Sequence, residues 1–497
     1  VVRRVAPALT PHLLVLVAAV FCLSAGPWSL AFLAGSLVGN YLVVRRLRAL
    51  DPASAGHKFL LACAILVNVG TLATFKLAQE WADGAPGAAA VVLPLGLAFY
   101  TLQQITFLVD ARRREVPMMG FVHHAAWGSF FAQLTAGPIG AWRRTAPQYA
   151  RLGERAPAPA DVARGAALVL LGFNKKLWLA DPVGRIVDPI VTGAALGAVS
   201  PLEAWTAAWG YMLQLYFDFS AYSDIAIGAG LCLGLLLPVN FNSPLKSATP
   251  GQYVMRWHMS LMAFVRDYVF EPVFRLARRL PLQPMEVRYS AAWAVATLLS
   301  YLAVAAWHTV AIVPLLQGLA VAVLLIALQM FRQASAKKPR TANRATRAAR
   351  RVGGQLLLLV GVSIFALMLR TRGEGALAQI LPALVDTGGM AELWTAVTTR
   401  LHDVAAGDAS QAWPGLYPHA RLSALPTLAV MSIATGVALA LPNSMQIMRV
   451  VPPPPGAGGI AWRPSAAWGA TTTLLLFAAV VGLTRPHGAD GFIYAQF

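Results

Sequence analysis

The sequence predicts an all-α, polytopic integral membrane protein with about eleven crossing helices plus re-entrant pieces around a central funnel. Three observations carry this reading. Of 497 residues, 57% are hydrophobic and only 12% are charged, against about 25% charged residues in a soluble domain. The mean hydropathy is +0.60. Apolar runs close to the ~20 residues that cross a ~30 Å hydrocarbon core recur along the whole chain. With 41 Gly and 33 Pro the chain is not low-complexity, which excludes a disordered or fibrous protein.

Taken in order, the first runs cover residues 6–24 and 28–44, and Arg45, Arg46 and Arg48 close the second. A membrane hairpin accounts for both better than a cleaved leader does. Runs at 58–78 and 89–110 follow, separated by a segment with Glu80 and Asp83 but no base. A less regular run covers 118–142. Next come 163–182, 188–200 and 203–236, the last readable as one long helix or two. Runs at 287–308, 311–331, 352–370, 424–441 and 466–484 complete the pattern. Residues 337–351 read as an Ala/Arg/Lys-rich linker and 452–459 as a stiff, turn-rich connection. No fixed-period repeat is visible, so residues 1–497 form one membrane-embedded domain.

The net charge is +19, from 40 Lys and Arg against 21 Asp and Glu. In a soluble protein this would suggest nucleic-acid binding, but no recognition motif accompanies it. The bases fall between apolar runs instead, as the cytoplasmic bias of Lys and Arg requires. The loop 332–351, the segment 143–164 and the cluster Arg275, Arg278, Arg279 and Arg288 are therefore placed in the cytoplasm. Residues 371–423 become the largest extracytoplasmic loop, and the C-terminus emerges outside. Cys22, Cys63 and Cys232 lie far apart in apolar runs, which gives neither a disulfide framework nor a zinc site, and no metal is expected.

Ionisable groups at membrane depth are costly and mark candidate sites. The densest stretch, 216–242, holds Asp218, Ser220, Tyr222, Ser223 and Asp224. Asp218 and Tyr222, four apart, share a helix face, whereas Asp218 and Asp224, six apart, diverge and form no carboxylate dyad. Structural pairing with an arginine is the expected role of both acids, Arg256 and Arg266 being partners or cytoplasmic anchors. Trp257, His258, Asp267 and Glu271 punctuate an amphipathic segment at the interface or among other helices. Residues 240–244 (NFNSP), which include Asn242, read as a turn with side-chain caps. His308, after Trp307, stands alone in an apolar run. It either bonds a neighbouring helix or takes part in catalysis.

Six segments then line up in order: NVGTLATFK ending at Lys76, LPLGLAFYTLQ at 93–103 with Asp110, QLTAGPI at 133–139, GFNKK at 172–176 with Asp181, YFDFSAYSDI at 216–225, and RWHMSL at 256–261 with RDY at 266–268. Together they resemble the membrane-bound O-acyltransferase family, in its bacterial branch of alginate O-acetylation and teichoic-acid D-alanylation proteins. The likeness covers about 60–315. It implies that His258 and His308 are the two catalytic histidines, His308 being the general base. Thr309 follows His308 where the family has Gly, and Ala221 also replaces a Gly. The ending GFIYAQF resembles the branch's aromatic terminus, with Tyr494 as a transient acyl acceptor or partner-docking point.

The resemblance further implies an acyl thioester donor, acetyl-CoA or an acyl carrier protein, with no bound cofactor. The acyl group, acetyl foremost, would reach hydroxyls of an extracytoplasmic polysaccharide or cell-wall glycan, through a partner transferase, at the bacterial inner membrane. Asp218, Tyr222, Asp224, Asn242, Arg256, Trp257 and Trp307 would line or support the channel. Two rival classes remain at this point: a transporter or flippase using the intramembrane Asp and His as an ion pathway, and a membrane scaffold indifferent to both histidines.

Overall fold

Helix is the only regular secondary structure among the described residues, as expected where hydrocarbon forces the backbone to satisfy its own hydrogen bonds. The computed structural model describes residues 7–492 apart from 85–90, 113–117, 155, 195–196, 198, 336–342, 372–373, 406–416, 418–419, 421, 452–460 and 485–490. The helices used below are α1 (Thr10–Ser24), α2 (Pro27–Ala49), α3 (Ala55–Gly84), α4 (Leu97–Ala111), α5 (Pro159–Lys175), α6 (Pro201–Cys232), α7 (Met285–His308), α8 (Ile312–Ser335), α9 (Arg344–Arg370), α10 (Ala424–Ala440) and α11 (Ala466–Leu483).

Six of these, α2, α3, α7, α8, α9 and α11, are long and apolar enough to cross a membrane, while α1 and α10 are apolar but shorter. The expected count was about eleven, and the difference has a physical source. The six spans bury only 11–33% of their apolar windows inside the protein, so they must be apolar to face lipid. By contrast α4 and α6 are buried almost along their full lengths, and Gln103, Gln104, Asp218 and Asp224 are among their buried residues. The run 118–142 breaks into the short helices Phe121–Gly128 and Phe131–Leu134. The run 203–236 is one helix of 32 residues, started by a capping box in which Ser200 and Glu203 bond each other's backbone N–H.

Helix α6 is the axis of the fold, and its closest neighbour is α5. Glycines set that approach: a Cβ on Gly228 would lie 2.6 Å from the Gly165 carbonyl oxygen, and one on Gly165 equally close to that of Gly228. Small residues let two backbones meet in this way. Gly228→Leu is therefore expected to force the helices apart at a cost of at least about 1–3 kcal/mol. Gly436→Leu, in open space, should change nothing. Thermal unfolding of the detergent-extracted proteins checks this directly.

Two of the expected connections contain helix. The second half of the predicted linker 337–351 forms the first turns of α9, because Ala and Arg favour helix and Asn343 caps it by accepting from the Thr346 N–H. Residues 371–423, expected as a loop, contain the helices Glu374–Ala383 and Thr387–Ala405. Ile380, Leu384 and Tyr417 there join a buried cluster with Ala204, Ala207 and Ala208 of α6. The stretch 452–459 lies outside the described residues.

Candidate functional site

His308 is the last residue of α7, and the backbone turns extended at Thr309. A helix end leaves its last carbonyls without intrahelical partners. Here the Lys76 ammonium of α3 donates to the His308 carbonyl oxygen at 2.6 Å. One residue back, the Trp307 indole N–H donates to the Ala98 carbonyl at 3.0 Å, and its ring meets Phe99 edge-on at 5.3 Å. The same indole lies 4.7 Å from the His308 ring and 6.3 Å from the His258 ring, centroid to centroid. The two histidines, fifty residues apart in the chain, thus flank one tryptophan.

His258 is buried and precedes the helix Met259–Val265 in a left-handed conformation, φ 44°. That region is uncommon for a residue with a Cβ, and it persists where surroundings over-determine it. The Phe219 ring of α6 meets the imidazole at 4.8 Å, and the Met259 N–H bonds the Asn240 carbonyl at 2.8 Å. A side-chain relay stitches the remaining pieces together. The Ile139 N–H donates to Ser260 Oγ at 2.9 Å, Ser260 donates to Asn240 Oδ1 at 2.5 Å, and Asn240 Nδ2 donates to Ser223 Oγ at 3.0 Å. Asn240 is therefore a buried bridge and not the turn cap expected of it. Asn242, half-buried, accepts from Asn443 Nδ2 at 3.2 Å. Trp257 stacks on Tyr253 and meets Phe241 edge-on.

The two acids of α6 pair with lysines, not with arginines. Asp218 lies 2.9 Å from the Lys176 ammonium, which also holds Asp181 at 2.7 Å. Asp224 lies 2.7 Å from Lys175, whose ammonium also reaches Ser220 and Ser444. The geometry is simple. Residues advance about 100° around a helix, so two consecutive lysines, the last of α5 and the one after it, diverge much as acids six apart on α6 do. Lys176 also begins a single widened turn, Lys176–Ala180, with i→i+5 bonding, a feature frequent at functional sites. Arg256 engages through its backbone, its carbonyl accepting from the Asn242 N–H at 3.1 Å and its N–H donating to the Tyr253 carbonyl at 2.9 Å, and Arg266 bonds Asp267 at 2.7 Å.

Tyr222 shares a hydrogen bond of 2.5 Å with Thr135 Oγ1 and lies edge-on to Phe492 at 5.2 Å. Lys176 donates to the Gly491 carbonyl at 3.2 Å and stands over the Phe492 ring. Residues 491–492 thus return to the Asp218 face of α6. Tyr494, two residues further on, lies outside the described residues.

A second widened turn, Arg266–Phe270, anchors the opposite side. Asp110 of α4 accepts from the Tyr268 hydroxyl at 2.6 Å and the Arg143 N–H at 3.1 Å. The Asp267 carboxylate takes Arg143, Arg144 and Arg266 together. Burial pushes the Asp267 carboxyl up, but Arg266, Arg143 and Arg144 more than offset it and hold it below the ordinary carboxylate range. Asp267 is thus ionised throughout the physiological pH range, and this contribution to stability fades only as pH falls below about 4, the unperturbed carboxylate pKa. Asp267→Asn should accordingly destabilise the protein at pH 7 and narrow its difference from the unsubstituted chain toward pH 3, read by thermal unfolding across pH.

Lys175, Lys176 and Asn240 are the site residues that sequence reasoning passed over. Their signal was present: two adjacent lysines inside an apolar run need partners as much as two acids do. Among the described residues, no group of three His, Cys, Asp or Glu is placed to hold a metal ion.

Known proteins resemble this chain over about half of its length. The model of the membrane-bound O-acyltransferase family matches residues 103–368, more than half of the chain. The chain is 30% identical over 276 residues to the peptidoglycan O-acetyltransferase of Helicobacter pylori, covering 49% of this chain and 52% of that protein. It is 31% identical over 258 residues to the probable alginate O-acetylase AlgI of Pseudomonas aeruginosa, covering 49% and 48%. The teichoic acid D-alanyltransferase of Bacillus subtilis is 26% identical over 180 residues, covering 35% and 44%. The chain spans about half the length of the curated relatives it matches.

Proposed function

Because the chain belongs to the membrane-bound O-acyltransferase family, we propose that it carries an acyl group, acetyl foremost, from a cytoplasmic thioester to hydroxyls of an extracytoplasmic polysaccharide or cell-wall glycan. The observation that carries this reading is the convergence of His258 and His308 on Trp307. Neither a scaffold nor a lone structural histidine needs two imidazoles brought to one indole. The ion-pathway alternative loses its acids, since Asp218 and Asp224 are held by Lys176 and Lys175.

His308 acts as the general base. A neutral imidazole suits the role, because one ring nitrogen accepts a proton while the other donates. The acceptor hydroxyl gives its proton to His308, its oxygen attacks the thioester carbonyl carbon, and the C–S bond breaks. The imidazolium then returns the proton to the departing thiolate. Trp307, held by Ala98 and Phe99, fixes the imidazole's position. His258 lies toward the donor, which is acetyl-CoA or an acyl carrier protein.

Direction follows from charge. The far end of α7 begins beside Arg288, and its His308 end meets α3, where the Thr309 hydroxyl lies 3.4 Å from Glu80. Lys and Arg favour the cytoplasmic side, so the donor enters from the arginine end and the acceptor waits at the His308 end. Tyr494 serves as a transient acyl acceptor or docks the partner transferase. The setting is the bacterial inner membrane, with the C-terminus outside.

Mass spectrometry of surface glycans from cells with and without the protein tests the reading. Loss of O-acyl groups without it, restored by the intact gene, is expected. An unchanged acylation pattern contradicts it.

A further inference from the structure

A cavity of about 600 Å³ lies between α7, α8 and the helix Met259–Val265 that follows His258. Its walls are mostly apolar and include Val254, Met259, Ala263, Phe264, Trp293 and Leu325, and neither His258, Trp307 nor His308 lines it. Arg144, Arg266 and Arg332 line it as well, all with exposed guanidinium-bearing side chains, so they form its mouth. Arg332 reaches across the short helix Pro250–Val254, its Nη1 lying 3.9 Å from where a Cβ on Gly251 would stand. Asp267 is the one carboxylate in the lining, and Arg143, Arg144 and Arg266 share it. The mouth therefore keeps an excess of positive charge.

Its depth is informative. Ser290 of α7 meets Gln333 of α8 at 3.3 Å, which sets the level of the arginines. The cavity continues along α7 to Ser300 and Tyr301. That is eleven residues beyond Ser290, or about 16 Å at 1.5 Å per residue. Half of a ~30 Å hydrocarbon core is about 15 Å, one leaflet. At the inner end the Ser300 hydroxyl is buried and has no hydrogen-bond partner among the described residues.

We propose that this cavity is a binding site for an anionic phospholipid of the leaflet on the basic side. The phosphate sits among Arg144, Arg266 and Arg332, and one acyl chain fills the cleft down to Ser300. The charge, the apolar walls and the depth of one leaflet each match a part of that molecule. A thioester donor shares the phosphate chemistry, but its reacting carbon must reach His308, and neither histidine lines the cavity. The proposal does not rest on the transfer reaction proposed above.

Native mass spectrometry of the purified full chain, exchanged against phosphatidylglycerol or phosphatidylcholine, tests the site. Retention of phosphatidylglycerol over phosphatidylcholine is expected, falling about tenfold or more in the double variant Arg144→Ala/Arg332→Ala, since each surface base contributes about fivefold. Both arginines are exposed and Arg143 and Arg266 still hold Asp267, so the variant should fold, which its thermal unfolding checks. Ala263→Phe, which fills the cleft and leaves the mouth intact, should lower retention of both lipids. Equal retention of the two lipids, or no effect of either variant, overturns the proposal. So does displacement of bound phosphatidylglycerol by acetyl-CoA or palmitoyl-CoA at equimolar amounts, which would make the cavity a donor site.

Discussion

His308→Ala is expected to lower acyl transfer by about 10²–10⁴-fold, the range contributed by a positioned general base, with the yield and thermal stability of the protein little changed. The structural reason for the second half of this expectation is that His308 is held through its backbone. The Lys76 ammonium bonds the carbonyl, which Ala also has, and the packing at this level comes from Trp307 against Phe99 and Ala98. Truncating the imidazole removes chemistry and spares the fold. His308→Gln, which keeps hydrogen-bonding atoms but cannot accept a proton near neutral pH, should be as inactive as the Ala variant. If Gln restores the rate, the imidazole only positions the acceptor and is not its base. His258→Ala should instead disturb structure as well as rate, because its ring fills a buried space between Phe219 and Trp307.

The second large effect is expected on stability. Lys176→Met removes the ammonium shared by Asp218 and Asp181, all three side chains being almost completely buried. Removing one partner of a buried ion pair costs about 3–5 kcal/mol, because the charge left behind has lost its compensation. That is a large part of the ~5–15 kcal/mol by which a folded protein is stable. The expected result is little monodisperse protein after extraction. The triple variant Lys176→Met/Asp218→Asn/Asp181→Asn, which removes charge on both sides, should recover much of it. Lys175→Met should be milder, since the Lys175 side chain is 17% exposed against 4% for Lys176 and answers one carboxylate instead of two. Size-exclusion profiles and thermal unfolding of the three variants in one detergent decide this. Equal losses for Lys175→Met and Lys176→Met would show that burial does not set the cost.

Much of this architecture was legible from residue pattern alone, and the reasons differ by element. Lipid-facing helices such as α7 and α8 announce themselves because hydrocarbon permits almost nothing polar on them. Helix α6 was harder to read as one helix, since its partners are other helices and its acids are paired by lysines more than forty residues away. Periodicity shows that Asp218 and Asp224 diverge, but it cannot say which cation answers each. The same limit applies to Asn240. A short NFNSP segment looks like a turn, and only the packing of Ser260 and Ser223 around it makes its side chain a bridge. The histidines illustrate the opposite case. Each stood out in its own segment, and their meeting across Trp307 depends on contacts of α4 and α6 that no local pattern encodes.

Acyl transfer across the membrane by the His308 site is tested most directly in sealed vesicles containing the purified protein. An acyl thioester with a labelled acetyl group is supplied on the side of the 332–351 loop, and a glycan acceptor, with any partner transferase, is enclosed on the other side. The account predicts protein-dependent thioester consumption and label on acceptor hydroxyls, both lost in His308→Ala. Thioester consumption that persists undiminished in His308→Ala, or label that never leaves the donor side, would contradict it.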